Sequence, residues 1–408
     1  MRHALALALL FLAATAWGDT SRTSAPSTTN NDDSCDIALQ PAATLLLPYF
    51  EVDLKAPATT TLFTLQNVSP SPVIANVTLW TDWGYAALSF PVYLTGYDVQ
   101  GINLFDVLGH GVLPPTDCRP GNISPAILPD LQAVFTIGGT GACASTIGFF
   151  HFRAIGYATI DVVSACTLKN VTSPIDYFAT LLYDNVLTGD YQQLATVNDH
   201  PYAAGGPLVH IRAIPEGGTA GAVVATSLPY TFYDRFALSP LSRKSDRRQP
   251  LPALFAPRFI AGGPTAFNAT LKIWREGITA GACSGPQAAV SNSNMRIADV
   301  VRFDEHENAT IMPPLAAISA APPPLPGPPA TSAISSSSLL FFPPFSTSGD
   351  VAGWLYLNLD HGRMTGRPSQ NWVTVSMFAG PTYATESTAP SLGNGCSPAA
   401  KPGAQITP

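Results

Sequence analysis

Thr61-Leu62-Phe63-Thr64-Leu65-Gln66-Asn67-Val68-Ser69-Pro70-Ser71-Pro72-Val73-Ile74-Ala75-Asn76-Val77-Thr78-Leu79-Trp80-Thr81 holds two runs of alternating character around a Ser/Pro break. Period-two alternation puts successive side chains on opposite faces of an extended chain, and Val, Ile, Thr, Phe and Trp suit a pleated, half-buried surface. The stretch reads as strand, turn, strand. Similar runs follow at 86–94, 132–137, 148–165, 207–213, 222–233, 268–275, 295–303, 351–359 and 371–378. Helix signals are few, with Ser173-Pro174-Ile175-Asp176 predicting one short helix over 174–181. The pattern predicts an all-β chain of antiparallel β-sandwiches, immunoglobulin-like or jelly-roll-like.

The same stretch recurs. At an offset of 192, Leu62/Leu254, Phe63/Phe255, Pro72/Pro264, Asn76/Asn268, Thr78/Thr270 and Leu79/Leu271 coincide without a gap. The match predicts two tandem sandwiches related by internal duplication, 35–205 and 206–390, with a boundary in the turn-rich Ala203-Ala204-Gly205-Gly206-Pro207. Residues 313–349 hold ten Pro and the Ser-rich stretch Ser332 to Ser338, a polyproline-like loop expected inside the second domain. Residues 391–408 read as a tail.

Residues 1–18 read as a signal peptide: Arg2 and His3, the apolar run Ala4 to Ala14, then small residues before Trp17-Gly18. Residues 19–34, rich in Ser, Thr, Asn and Asp, read as a disordered leader. No apolar run has the ~20 residues of a membrane span. The expected location is secreted, periplasmic or cell-surface. In such a compartment Cys35, Cys118, Cys143, Cys166, Cys283 and Cys396 predict three disulfides, among the fifteen pairings six cysteines allow. Cys118–Cys143 brackets a Pro/Gly-rich excursion and is favoured, with Cys283–Cys396, leaving Cys35–Cys166.

Charged residues are 12% of the chain, about half the ~25% of ordinary domains. With 46% hydrophobic residues the chain is not a disordered protein. A net charge of −7 and only five Lys exclude nucleic acid as the expected partner.

Catalytic signatures such as G-x-S-x-G, H-E-x-x-H and G-x-x-x-x-G-K are missing from the sequence. Asp304-Glu305-His306-Glu307 is the densest set of metal-ligand types, but on a strand Asp304 and His306 take one face and the two Glu the other. An exposed strand end is expected there, and neither a metal nor a cofactor. His151, Asp161 and Ser164 suggest a triad, yet ten residues of strand separate His151 from Asp161 by ~33 Å. The basic cluster Arg243-Lys244-Ser245-Asp246-Arg247-Arg248 reads as a solvated loop. Trp80, Trp83, Trp274, Trp354 and Trp372 are candidates for a sugar-stacking platform, weighed against the buried Trp that sandwich cores use. Sequons stand at Asn67, Asn76, Asn122, Asn170, Asn268 and Asn308.

Six segments share a further likeness: Pro48-Tyr49-Phe50-Glu51-Val52-Asp53, Thr78-Leu79-Trp80-Thr81-Asp82-Trp83-Gly84, Tyr93-Leu94-Thr95-Gly96-Tyr97-Asp98-Val99, Gly189-Asp190-Tyr191-Gln192, His210-Ile211-Arg212-Ala213-Ile214-Pro215-Glu216 and Arg367-Pro368-Ser369-Gln370-Asn371-Trp372. Together they resemble an uncharacterised family of secreted β-sandwich proteins from environmental bacteria, over most of the mature chain. The resemblance implies a bacterial, exported context and carries no site residues.

The expected function is a non-enzymatic, exported β-sandwich protein with a structural, adhesion or recognition role, its partner a glycan or another surface protein. One alternative is a secreted hydrolase with a carboxylate site, for which Asp82, Glu216 and Glu276 lie beside turns at strand ends. The other is a carbohydrate-binding protein.

Overall fold

From 44 to 211 the strands are β1 (Thr44–Val52), β2 (Thr60–Asn67), β3 (Val73–Thr81), β4 (Ala86–Leu94), β5 (Val99–Asn103), β6 (Ala154–Val163), β7 (Leu187–Val197), β8 (His200–Pro207) and β9 (Val209–Ile211). Helices α1 (Leu104–His110) and α2 (Leu128–Thr136) interrupt them. The later strands are β10 (Leu254–Phe255), β11 (Arg258–Ala261), β12 (Phe267–Arg275), β13 (Asp299–Asp304), β14 (Ala309–Ile311), β15 (Leu340–Phe341), β16 (Val351–Asn358), β17 (Asn371–Ala379) and β18 (Tyr383–Thr388). This computed structural model describes residues 39–81, 86–115, 118, 122–136, 153–166, 180–197, 200–213, 248–249, 251–261, 267–275, 299–311, 340–341, 351–359, 371–379 and 383–392, all within the unit Cys35–Pro408. The all-β class read from the sequence is borne out.

Among the described residues these strands form four antiparallel sheets. β4-β3-β6-β1-β9 and β5-β2-β7-β8 use the earlier strands; β15-β12-β17-β18 and β10-β16-β13-β14, with β11 also on β16, use the later ones. The first of these is a middle layer. Every residue of β6 is buried, so both its faces are covered. On one face Ala75, Val77, Leu79, Ala158, Ile160 and Val162 pack with Phe63, Leu65 and the α1 residues Leu104 and Leu108. On the other, Leu46, Trp80, Tyr157 and Val163 share a core with Leu271, Ile273, Trp274, Leu355 and Leu357.

Three local readings are corrected. β2 and β3 belong to different sheets, so residues 67–73 arch between sheets and do not close a hairpin. Pro70 and Pro72 have no N–H to give a ladder, and Asn67 holds the arch instead. Its Nδ2 donates to the carbonyls of Ser71 (2.7 Å) and Thr95 (2.8 Å), and its Oδ1 accepts from Ser69 N and Oγ. The aligned pairs Phe63/Phe255 and Leu79/Leu271 are all buried. Residues 132–137, read as strand, fall largely in α2, where Pro129 and Asp130 suit a helix first turn and Phe135 packs on Phe50 at 5.7 Å. Ala203–Pro207, read as a turn, is strand: it is the second half of β8, paired with β7. Gly205 permits the close approach, since a Cβ there would lie 1.9 Å from the Tyr191 carbonyl oxygen.

The helix expected over 174–181 lies outside the described residues except for its last two positions, as does the Pro/Ser-rich loop except for β15. Among the described residues no helix is long and apolar enough to cross a membrane.

Candidate functional site

β12, β17 and β18 present Lys272, Ser376 and Glu386 on one sheet face: Lys272 is opposite Thr374, Ser376 two residues on is opposite Glu386, and both opposite residues and residues two apart point the same way. That face meets Tyr191 and Gln193 of β7 and Tyr49 of β1. Lys272 Nζ donates to Glu386 Oε2 (2.7 Å) and to Gln193 Oε1. Ser376 Oγ donates to Glu386 Oε2 at 3.0 Å, and Tyr191 O–H to Glu386 Oε1. Lys272 Nζ also lies 4.6 Å from the Tyr49 ring centroid, a cation–π contact. The Lys272 and Glu386 side chains are only 9% and 2% exposed.

The network continues outward. Tyr49 O–H donates to Glu51 Oε2 at 2.6 Å, and Arg153 pairs with Glu51 Oε1 at the more exposed end. Burial pushes the phenol of Tyr49 well up from its ordinary value, with Glu51 adding to it. Burial and then Glu386 do the same to Tyr191. Tyr202 is pushed up to about 12 by burial, then by Glu51 and Glu386, against an opposing effect of Arg153. The three phenols are therefore neutral at physiological pH, and those of Tyr49 and Tyr191 act as donors.

A second polar cluster lies in the middle sheet. Thr44, Asn76 and Asp161 are neighbours across β1, β6 and β3. Thr44 Oγ1 donates to Asp161 Oδ1 (2.6 Å), and Arg248 Nη1 reaches the same oxygen at 2.9 Å. Arg248 is 1% exposed, which corrects the solvated reading of its basic cluster at this residue. A strand-like bridge to Ala213 and the bond from Gln249 N to Arg212 O (2.8 Å) place it there. His210 is also buried, with Nδ1 2.8 Å from the Gln40 carbonyl.

The tryptophans divide. Trp80 stacks on Tyr157 (5.6 Å between centroids), Tyr157 meets Trp274 edge-on (5.7 Å), and Trp372 packs on Phe255 (6.2 Å). All three are buried in one core. Trp354 is half-buried and stacks on Phe303 at 4.0 Å, on the sheet face opposite Leu355 and Leu357. Trp83 lies outside the described residues, as do Asp82, Glu216, Glu276 and His151. Of the triad reading, Asp161 and Ser164 are described: the Asp161 carboxylate serves Thr44 and Arg248, and Ser164 is exposed just past β6, its N–H bonded to the Thr180 carbonyl at 2.8 Å.

Asp304 closes the turn between β13 and β14. Its Oδ1 accepts from His306 N and Asn308 N, and its Oδ2 from Asn308 Nδ2, each at 2.9 Å. Of the sequons, Asn67 and Asn76 are buried in the fold, and Asn122 is exposed. Cys118 bonds Cys166, with Cα atoms 5.2 Å apart. That corrects the expected Cys118–Cys143 and Cys35–Cys166 pairings, because β6 delivers Cys166 beside the loop after α1. Cys35, Cys143, Cys283 and Cys396 lie outside the described residues.

Lys272, Gln193, Glu386, Tyr191, Glu51 and Arg153 carried no sequence signal as a site. Lys272 sat at a polar position of an alternating strand, and Glu386 among Thr and Ser, as solvent-facing residues do. No protein-family model matches this chain, and no curated protein matches it.

Proposed function

We propose that this chain is an exported, non-enzymatic all-β protein with a structural, adhesion or recognition role at or beyond the cell surface. The observation that carries this reading is how the fold disposes its charges. Glu386–Lys272, Asp161–Arg248 and Glu51–Arg153 each join strands or segments far apart in sequence, so the charged chemistry brought together serves cohesion. The leader-like residues 1–18 supply the export. Expression of the full chain in an exporting host, followed by surface labelling and fractionation, tests the reading. Processed protein at the surface or in the medium is the expected result, and unprocessed protein retained in the cytoplasm would overturn it.

One observation favours carbohydrate binding as a second reading. Trp354 and Phe303 stack on the outward side of their sheet, with Arg258 opposite Trp354 in the ladder. Affinity electrophoresis through neutral and acidic polysaccharides checks it: retardation lost in Trp354→Ala supports it, and unretarded wild-type protein removes it.

A further inference from the structure

We propose that Lys272 and Gln193 join in an intramolecular isopeptide bond, formed without an outside enzyme and with Glu386 as proton carrier. Such a bond needs an amine, a carboxamide, a group to move protons between two nitrogens, and little water. The seam assembles the three groups, with the Lys272 and Glu386 side chains buried and Gln193 half-buried. Lys272 Nζ contacts Gln193 Oε1, and the amide carbon lies one C=O bond, about 1.2 Å, beyond that oxygen. Glu386 Oε2 is 2.7 Å from the same nitrogen.

The three residues come from three strands, β12, β7 and β18, each fixed in its ladder. Their geometry is therefore set before reaction, which is where proximity contributes most. The Tyr49 ring lies 4.6 Å from the amine, and the Gln193 Nε2 donates to the Tyr49 carbonyl at 3.4 Å, turning Oε1 toward Lys272. Tyr191 and Ser376 hold Glu386 by hydrogen bonds.

The step balances without a co-reactant. Glu386 takes a proton from the Lys272 ammonium, and the free amine attacks Cδ of Gln193, forming the new C–N bond. Glu386 passes that proton to the amide nitrogen, the old C–N bond breaks, and ammonia leaves. The excess proton on the new amide nitrogen goes through Glu386 to the ammonia. Ammonium and a carboxamide have become a secondary amide and an ammonium ion, with nothing oxidised or reduced. It is a single self-modification and not turnover of a substrate.

Trypsin digestion and mass spectrometry of purified full-length protein decide the matter. Free Lys272 releases peptides 259–272 and 273–275. The linked chain instead yields 259–275 joined to 170–212, lighter than their sum by one ammonia. That species should dominate in wild-type protein, be absent in Gln193→Leu, and form ~10²-fold more slowly in Glu386→Gln. Circular dichroism reports whether each variant is folded. Release of 259–272 with a free amine from folded wild-type protein overturns the bond, whatever the variants do. Linkage at an unchanged rate in Glu386→Gln overturns the role of Glu386.

Discussion

Arg248 Nη1 lies 2.9 Å from Asp161 Oδ1, and neither side chain reaches solvent. Removing one partner leaves the other charge buried and uncompensated, which costs about 3–5 kcal/mol. Arg248→Met and Asp161→Leu should each show that loss in urea unfolding. The double variant should recover most of it, because two apolar side chains restore neutrality. Additive losses would show that the pair is not energetically coupled.

Asn67 joins both sides of an arch through two donated and two accepted hydrogen bonds. Asn67→Asp keeps the shape but loses both N–H donors, leaving the Ser71 and Thr95 carbonyls without them. A loss of ~1–3 kcal/mol is expected from chemical denaturation. Exchange of the Tyr97 amide, bonded to the Ser69 carbonyl at 3.0 Å, should quicken in the same variant.

Burial holds the His210 imidazole below its ordinary value, outweighing its bonds to the Gln40 and Gly189 carbonyls. The unfolded chain therefore binds the proton more readily than the folded one. Stability from this residue is complete above the unfolded value of ~6.5 and falls as pH drops from there toward the lowered folded value. Urea midpoints measured from pH 7 down to pH 5 should decline, and His210→Gln should decline less. Parallel curves would assign the decline to other groups.

The Cys118–Cys166 bond closes a loop with a sequence separation of 48. Chain-entropy arguments give a loop of this size about 4 kcal/mol. Non-reducing peptide mapping should recover Cys118 with Cys166 and not with Cys143. Cys118→Ser should lower the thermal midpoint, and by the same amount as Cys166→Ser.

Strands such as β3 and β12 were legible because alternation is a local property of the sequence. Sheet membership was not. Val73–Thr81 would read the same whether it turned back on β2 or crossed to the next sheet, and the choice rests on Asn67 meeting Thr95 from a later loop. Arg248 was illegible for the same reason: four charged neighbours suggest water, and only Asp161, distant in sequence, makes burial tolerable. The Trp residues show the limit of type without place, since Trp80 lies in a sheet covered on both faces and Trp354 on the half-buried face of a different sheet.

The middle sheet sets a timetable for the growing chain. β1 needs β6 and β9 beside it, and Asp161 meets Arg248 only after 87 further residues have been made. Contacts so distant in sequence form late, because long loops must close first. A chain emerging from its N-terminus therefore passes through a stage in which the sheet bearing Thr44, Asn76 and Asp161 has one face uncovered. At that stage the carboxylate keeps the face wet and discourages it from pairing with a neighbour. Arrival of Arg248 neutralises it, and the later strands close over the face on which Leu46, Trp80 and Tyr157 lie beside the pair.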